Sequence, residues 1–104
     1  MSQNAEKILS SGTPLHEYGV NEYAFSRHAA LLAVEELCLA AIPILGGDVY
    51  AVVDGRASPN YDSWYCDRAK DESENEYVCR STALACEYIT NYPNGGVLFV
   101  IVAK

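Results

Sequence analysis

The period of apolar and polar positions changes several times along the chain, and each change marks an element. Residues 2–10 read as a helix, with Ser2 as N-cap and Ile8 and Leu9 as its apolar contribution, and Gly12 stops it. Thr13-Pro14 reads as an N-cap followed by proline in the first helical position. This predicts a short helix ending at Gly19, where glycine takes a left-handed conformation. The next signal is the strongest. Ser26 caps a helix to about Ala41, with Ala30, Val34, Leu37 and Ala41 on one face, widened by Leu31 and Cys38. Arg27, Glu35 and Glu36 mark its wet side, and Ile42-Pro43 ends it.

The pattern then turns to that of strands. Gly46-Gly47 reads as a breaker requiring positive φ, and Asp48–Val53 as a strand. Asp54-Gly55 is a turn, Ser58-Pro59-Asn60 continues as loop, and Tyr61–Cys66 is a second strand. Asp67 to Asn75 is polar and predicted to be exposed. Two readings compete for residues 73–92. Ser73-Glu74-Asn75-Glu76 matches a capping box, which would start a helix at Glu74. Alternatively, Glu76–Arg80 is a third strand and Ser81 caps a shorter helix to about Tyr92. The second is preferred, because Tyr77, Val78 and Cys79 suit a strand better than a first helical turn. A hairpin from Tyr61 to Arg80 would then carry an acidic loop at its tip. The later helix would bury Leu84, Ala85, Tyr88, Ile89 and Tyr92. Val97–Val102 is uninterruptedly apolar and reads as a central strand covered on both faces. The fold class is α+β: N-terminal helices, about four strands in a mixed or antiparallel sheet, and one helix before the last strand. With no repeat or long linker, residues 1–104 read as one domain.

Composition narrows the function. Fourteen acidic against seven basic residues give a net charge of −7. That disfavours direct nucleic-acid binding and anionic membrane surfaces, both of which call for Lys and Arg. A basic protein partner fits better. The N-terminal residues lack a basic region followed by an apolar run, and the apolar stretch 29–45 is interrupted by Glu35, Glu36 and Pro43. The expected compartment is therefore the cytoplasm, and Cys38, Cys66, Cys79 and Cys86 are expected as free thiols. They form no C-x-x-C pair, and the histidines are only His16 and His28, so no metal site or cofactor is expected.

Candidate chemistry is sparse. His16 and His28 are possible bases and Cys66, beside a polar loop, the most plausible reactive thiol, but nothing in the local sequence links them. Cys38, Cys79 and Cys86 read as small core residues. Gly46-Gly47-Asp48 follows a helix and opens a strand, the reverse of a phosphate-binding loop, and carries an acid where phosphate wants a cation. No catalytic residue is assigned, and the chain does not read as an enzyme. What remains is an acidic run, Asp67, Asp71, Glu72, Glu74 and Glu76, beside Tyr61, Asp62, Trp64 and Tyr65. Acids next to aromatics suit protein recognition, because Trp and Tyr anchor interfaces while charges orient the partner. Strand alternation puts Tyr61 and Tyr65 on one face and Trp64 on the other, so part of this set faces the core. The rivals are a small enzyme using Cys66 or a histidine and an acidic nucleic-acid mimic that regulates a host nuclease.

Several segments together carry a family resemblance. They are Gly19-Val20-Asn21-Glu22-Tyr23-Ala24-Phe25, Ile42-Pro43-Ile44-Leu45-Gly46-Gly47-Asp48-Val49-Tyr50 and Tyr61-Asp62-Ser63-Trp64-Tyr65-Cys66, together with Tyr77-Val78-Cys79-Arg80-Ser81 and Tyr88-Ile89-Thr90-Asn91-Tyr92. From about Gly19 onward the chain resembles the polymorphic-toxin immunity family called immunity protein 40. The Pro-Ile-Leu-Gly-Gly-Asp-Val-Tyr run is the most specific part. Ser63 departs from the Asn that the family pattern implies before the tryptophan. The resemblance implies a bacterial protein that binds the C-terminal domain of one cognate secreted or contact-delivered toxin, often a nuclease with a basic cleft. It supplies no catalytic residues. Gly46, Gly47, Asp48 and Tyr50 are expected to serve the fold.

Overall fold

A computed structural model of the protein describes residues 3–15 and 22–104. The elements in chain order are α1 (Gln3–Leu9), β1 (Thr13–Pro14), β2 (Tyr23–Phe25), α2 (Arg27–Leu39), β3 (Ile44–Val53), β4 (Arg56–Tyr65), α3 (Glu74–Asn91) and β5 (Val97–Ala103). The strands form one antiparallel sheet in the order β1-β2-β5-β3-β4. The class is the expected α+β. The strand count differs because β1 and β2 form near the N-terminus, while 76–80 is helical.

The first helix matches its apolar signals, and its expected cap, Ser2, lies outside the described residues. Thr13-Pro14, expected to open a second helix, instead pairs with Tyr23 and Ala24 as strand β1. The proposed end of that helix at Gly19 also lies outside the described residues. Ser26 caps α2 as expected, its hydroxyl accepting from the Ala29 N–H at 3.4 Å. The helix stops two residues earlier than the expected end. Ala41 takes φ 57°, and the Ala41 and Ile42 amides donate to the Cys38 and Leu37 carbonyls at 3.0 and 2.9 Å. This Schellman closure satisfies carbonyls that a helix end leaves open. Arg27, expected on the wet side, is half-buried. Its guanidinium donates to the carbonyls of Ile89, Thr90, Tyr92 and Asn94 at 2.9–3.1 Å, so the start of α2 clamps the end of α3.

Three strand expectations need correction. Gly46-Gly47 lies inside β3, which begins at Ile44, and is not a breaker. Of the two, only Gly46 has positive φ, 154°. Both positions need glycine because of close approach. A Cβ on Gly46 would overlap the Trp64 carbonyl oxygen, and one on Gly47 would overlap the Val100 carbonyl oxygen and the far edge of the Trp64 ring. Ser58-Pro59-Asn60 belongs to β4 rather than to a loop, and proline is tolerated there because β4 is the edge strand. The β-hairpin is β3–β4, turned by Asp54 and Gly55 with φ of 52° and 77°, and not a hairpin from Tyr61 to Arg80.

The capping-box reading of residues 73–76 is the one the structure adopts. The Ser73 hydroxyl accepts from the Glu76 N–H at 3.1 Å, and the Glu76 carboxylate accepts from the Ser73 N–H at 2.9 Å. Tyr77 and Val78 are therefore buried helical residues. Tertiary burial and a complete cap outweigh their modest strand preference.

Helices α2 and α3 cover one sheet face. Phe99, Ile101 and Ala103 of β5 and Val49 and Ile44 of β3 meet Val34, Leu37, Ala85 and Ile89 in the main core. On the opposite face a smaller cluster, Leu15, Ala24, Tyr50 and Val100, covers part of the sheet. β5 is thus central and well covered, although Val102 remains partly exposed. No helix among the described residues is long and apolar enough to cross a membrane.

Candidate functional site

The aromatic segment of the sequence falls on β4, the long free edge of the sheet. Its pairing with β3 is interrupted. Asp48 pairs with Ser63 and Tyr50 with Pro59, so Val49 alone faces Asn60, Tyr61 and Asp62. The bulge throws Tyr61 outward at φ 69°. It is pinned from α3's end. The Tyr92 hydroxyl donates to Asp62 Oδ2 at 2.6 Å and accepts from Asn60 Nδ2 at 2.8 Å, while Asn60 Oδ1 accepts from the Asp62 N–H at 3.0 Å. The carboxylate that accepts from it pushes the Tyr92 phenol above its ordinary pKa.

Strand alternation resolves the aromatic set. Tyr61 and Tyr65 are 90% and 77% exposed, whereas Trp64 is 6% exposed and lies on the helix face. Trp64 begins a ladder of rings. It stacks on Tyr88 at 4.7 Å, Tyr88 meets Tyr92 at 5.9 Å, and Tyr92 meets Phe99 edge-on at 5.7 Å. These contacts tie the edge to the core. The Trp64 indole N–H is buried with no hydrogen-bond acceptor among the described residues.

Between β4 and α3 runs a groove made of two adjoining clefts. One, of about 340 Å³, is lined by Trp64, Tyr65, Leu84, Glu87 and Tyr88. The other, of about 430 Å³, adds Asp62, Asn91, Tyr92 and Pro93. Burial, then the charge of Asp62, raises the Tyr88 phenol above its ordinary pKa. Leu84, expected to be buried, is 37% exposed because it lines this groove. Glu87, Leu84 and Tyr88 were not singled out in the sequence as binding residues. Helical spacing could have placed Leu84 with Tyr88, but nothing local says that β4 runs alongside them.

The acidic run behaves differently. The Arg80 guanidinium grips Glu72 with two hydrogen bonds, Nε to Oε2 at 2.6 Å and Nη2 to Oε1 at 2.8 Å, and also donates to the Asp67 carbonyl. That grip, helped by the Ala69 N–H, holds the Glu72 carboxyl at about 2, well below the usual carboxylate range. Glu74 pairs with Arg68 at 3.0 Å and with Lys104 at 3.7 Å. Glu76 is occupied by the cap, and the Ser73 amide lowers its pKa. The carboxylates of Asp67 and Asp71 take no hydrogen bond or ion pair among the described residues.

Asp48 and Tyr50 lie on the sheet face opposite the helices. Glu22 approaches them there, and its pKa is raised by burial and by the charge of Asp48. The Tyr50 phenol is raised by burial, then by Glu22 and Asp48.

The sulfur and imidazole candidates do not converge. Cys66, expected beside an exposed loop, is 3% exposed under Tyr77, whose hydroxyl donates to its carbonyl at 2.6 Å. Cys79, expected in the core, is exposed, and Cys38 and Cys86 are half-buried. His28 is exposed, and His16 lies outside the described residues. Among the described residues no group of His, Cys, Asp and Glu is placed to hold a metal.

The arrangement is an α+β scaffold that displays aromatic and acidic side chains along one sheet edge. The immunity protein 40 family matches residues 14–103, and the chain belongs to that family. No curated protein matches the sequence.

Proposed function

We propose that this protein binds one cognate bacterial toxin domain in the cytoplasm of the producing cell and neutralises it, and that the toxin is a nuclease with a basic substrate cleft. Family membership supports the immunity role. The observation that carries the surface assignment is the exposure of Tyr61 and Tyr65, 90% and 77%, on the free edge of the sheet. Two tyrosines held that far into solvent by a rigid strand offer large contact area at small entropic cost. Asp62 and Glu87 flank them, and the net charge of −7 supplies a long-range field that draws in a cationic partner. Asp67 and Asp71 add to that field. Gly46 and Gly47 hold the strand register beneath Trp64 and serve the fold.

The test is co-expression with the polypeptide encoded immediately upstream, then affinity capture and a viability count. The expected result is that the upstream product kills alone, co-purifies with this protein and is silenced by it. A harmless or non-binding upstream product overturns the reading.

A further inference from the structure

The groove between β4 and α3 has a chemistry of its own. Among the described residues no Lys, Arg or His lines either cleft, while Asp62 and Glu87 both reach the groove. Asp62 is held in place by Tyr92 through one oxygen only, Oδ2. The Glu87 carboxylate has no hydrogen bond or ion pair among the described residues. Such a pair of uncompensated carboxylates calls for a cation from outside. The Tyr88 ring beside them favours a flat cation that stacks as well as forks, which is guanidinium rather than ammonium. Trp64, at the wall of the cleft that Glu87 and Tyr88 also line, is almost wholly buried, and its indole N–H has no acceptor among the described residues. Beside it, Ser63–Tyr65 is regular strand with no neighbouring strand on its outer side among the described residues.

We infer that this groove receives an arginine side chain carried on an extended segment of the toxin domain, with Glu87 and Asp62 taking the guanidinium. The inference rests on the immunity reading and names the contact through which it acts. It places Leu84, Glu87 and Tyr88 of α3 in the interface beside the tyrosines of β4.

Trp64 is the only tryptophan, so ¹⁵N-labelled protein gives a single indole N–H resonance. Addition of the unlabelled, catalytically inactivated upstream toxin domain is expected to move that resonance, because Trp64 lines the cleft that is filled. Glu87→Arg is expected to weaken binding about 100-fold and Glu87→Gln about tenfold, with the circular dichroism of the free protein unchanged. At matched ionic strength and millimolar concentration, N-acetylarginine methylamide should move the indole resonance and N-acetyllysine methylamide should not. If the toxin domain binds while the resonance stays put, or Glu87→Arg binds as tightly as the wild type, the groove is overturned and the immunity reading stands. Equal responses to the two amino-acid amides overturn the choice of arginine. A toxin domain that does not bind the wild type at all overturns the immunity reading and, with it, this occupant.

Discussion

Two acidic regions of this molecule look alike in charge and differ in what the charge is for. Residues 67–76 hold the densest run of carboxylates, yet three of them are engaged inside the chain: Glu72 by Arg80, Glu74 by Arg68 and Lys104, and Glu76 by the helix cap. Their charge is spent on fixing the path from β4 into α3. The β4–α3 groove has only Asp62 and Glu87, 25 positions apart in the chain. There no Lys, Arg or His lines the clefts among the described residues, and the Tyr88 and Tyr92 rings adjoin the carboxylates. Density of acid along a sequence therefore says little about the acid offered to a partner. The pairing of each carboxylate decides that, and pairing is set by the fold.

The sharpest way to break this comparison is to remove the floor of the groove. Gly47→Ala forces a methyl group against the Val100 carbonyl and the Trp64 ring. The expected cost is about 3 kcal/mol of stability, read by urea denaturation, with Trp64 emission shifted to the red as the ring leaves its seat. Unchanged stability would mean that the groove and β3 are not coupled as described. Ser73→Ala removes half of the capping box and is expected to cost about 1 kcal/mol, while toxin binding through the groove persists. A loss of binding equal to that of Glu87→Arg would show that the loop's order matters as much as the groove's charge.

The third test uses pH. The folded Glu72 carboxyl titrates near 2, against an ordinary value of 4.5. A lowered folded pKa makes the contribution complete above the unfolded value and loses it as pH falls from about 4.5 towards 2. Glu72→Gln should therefore lower the melting temperature at neutral pH and flatten its decline over that acid window. Parallel curves for wild type and variant would remove Arg80–Glu72 from the account. The smallest effect is kinetic. Asp71→Lys should slow toxin association by about threefold at low salt, less at high salt, and leave dissociation unchanged. Glu87→Arg should act mainly on dissociation. If both variants altered the same rate constant, the distinction between a steering loop and a holding groove would collapse.

Much of the scaffold could be read before folding was considered. The α2 helix follows from its Ser26 cap and its apolar spacing, the β3–β4 turn from Asp54-Gly55, and β5 from an unbroken run of apolar residues. These signals are local, and each has its mechanism within a few positions. The misreadings arose where a distant partner outvoted a local preference. Gly46-Gly47 looks like a break because the ring that fills the space above it belongs to Trp64, on the neighbouring strand. Ser58-Pro59-Asn60 looks like a loop because only the sheet order shows that Pro59 sits on an edge, where its missing N–H costs nothing. Tyr77-Val78 looks like strand because the core that buries one face of α3 lies elsewhere in the chain.

The candidate site divides along the same line. Tyr61, Asp62, Trp64 and Tyr65 are close in sequence, and alternation already separates the two exposed tyrosines from the tryptophan. Glu87 and Leu84 join them only because α3 packs alongside β4. The amino-acid sequence by itself determined the Ser26 cap, the turn, the central strand, the net charge and the family. Tertiary structure alone decided which carboxylates find cations and which are left facing a groove, because an ion pair forms wherever the fold brings opposite charges within a few ångströms, whatever their separation along the chain.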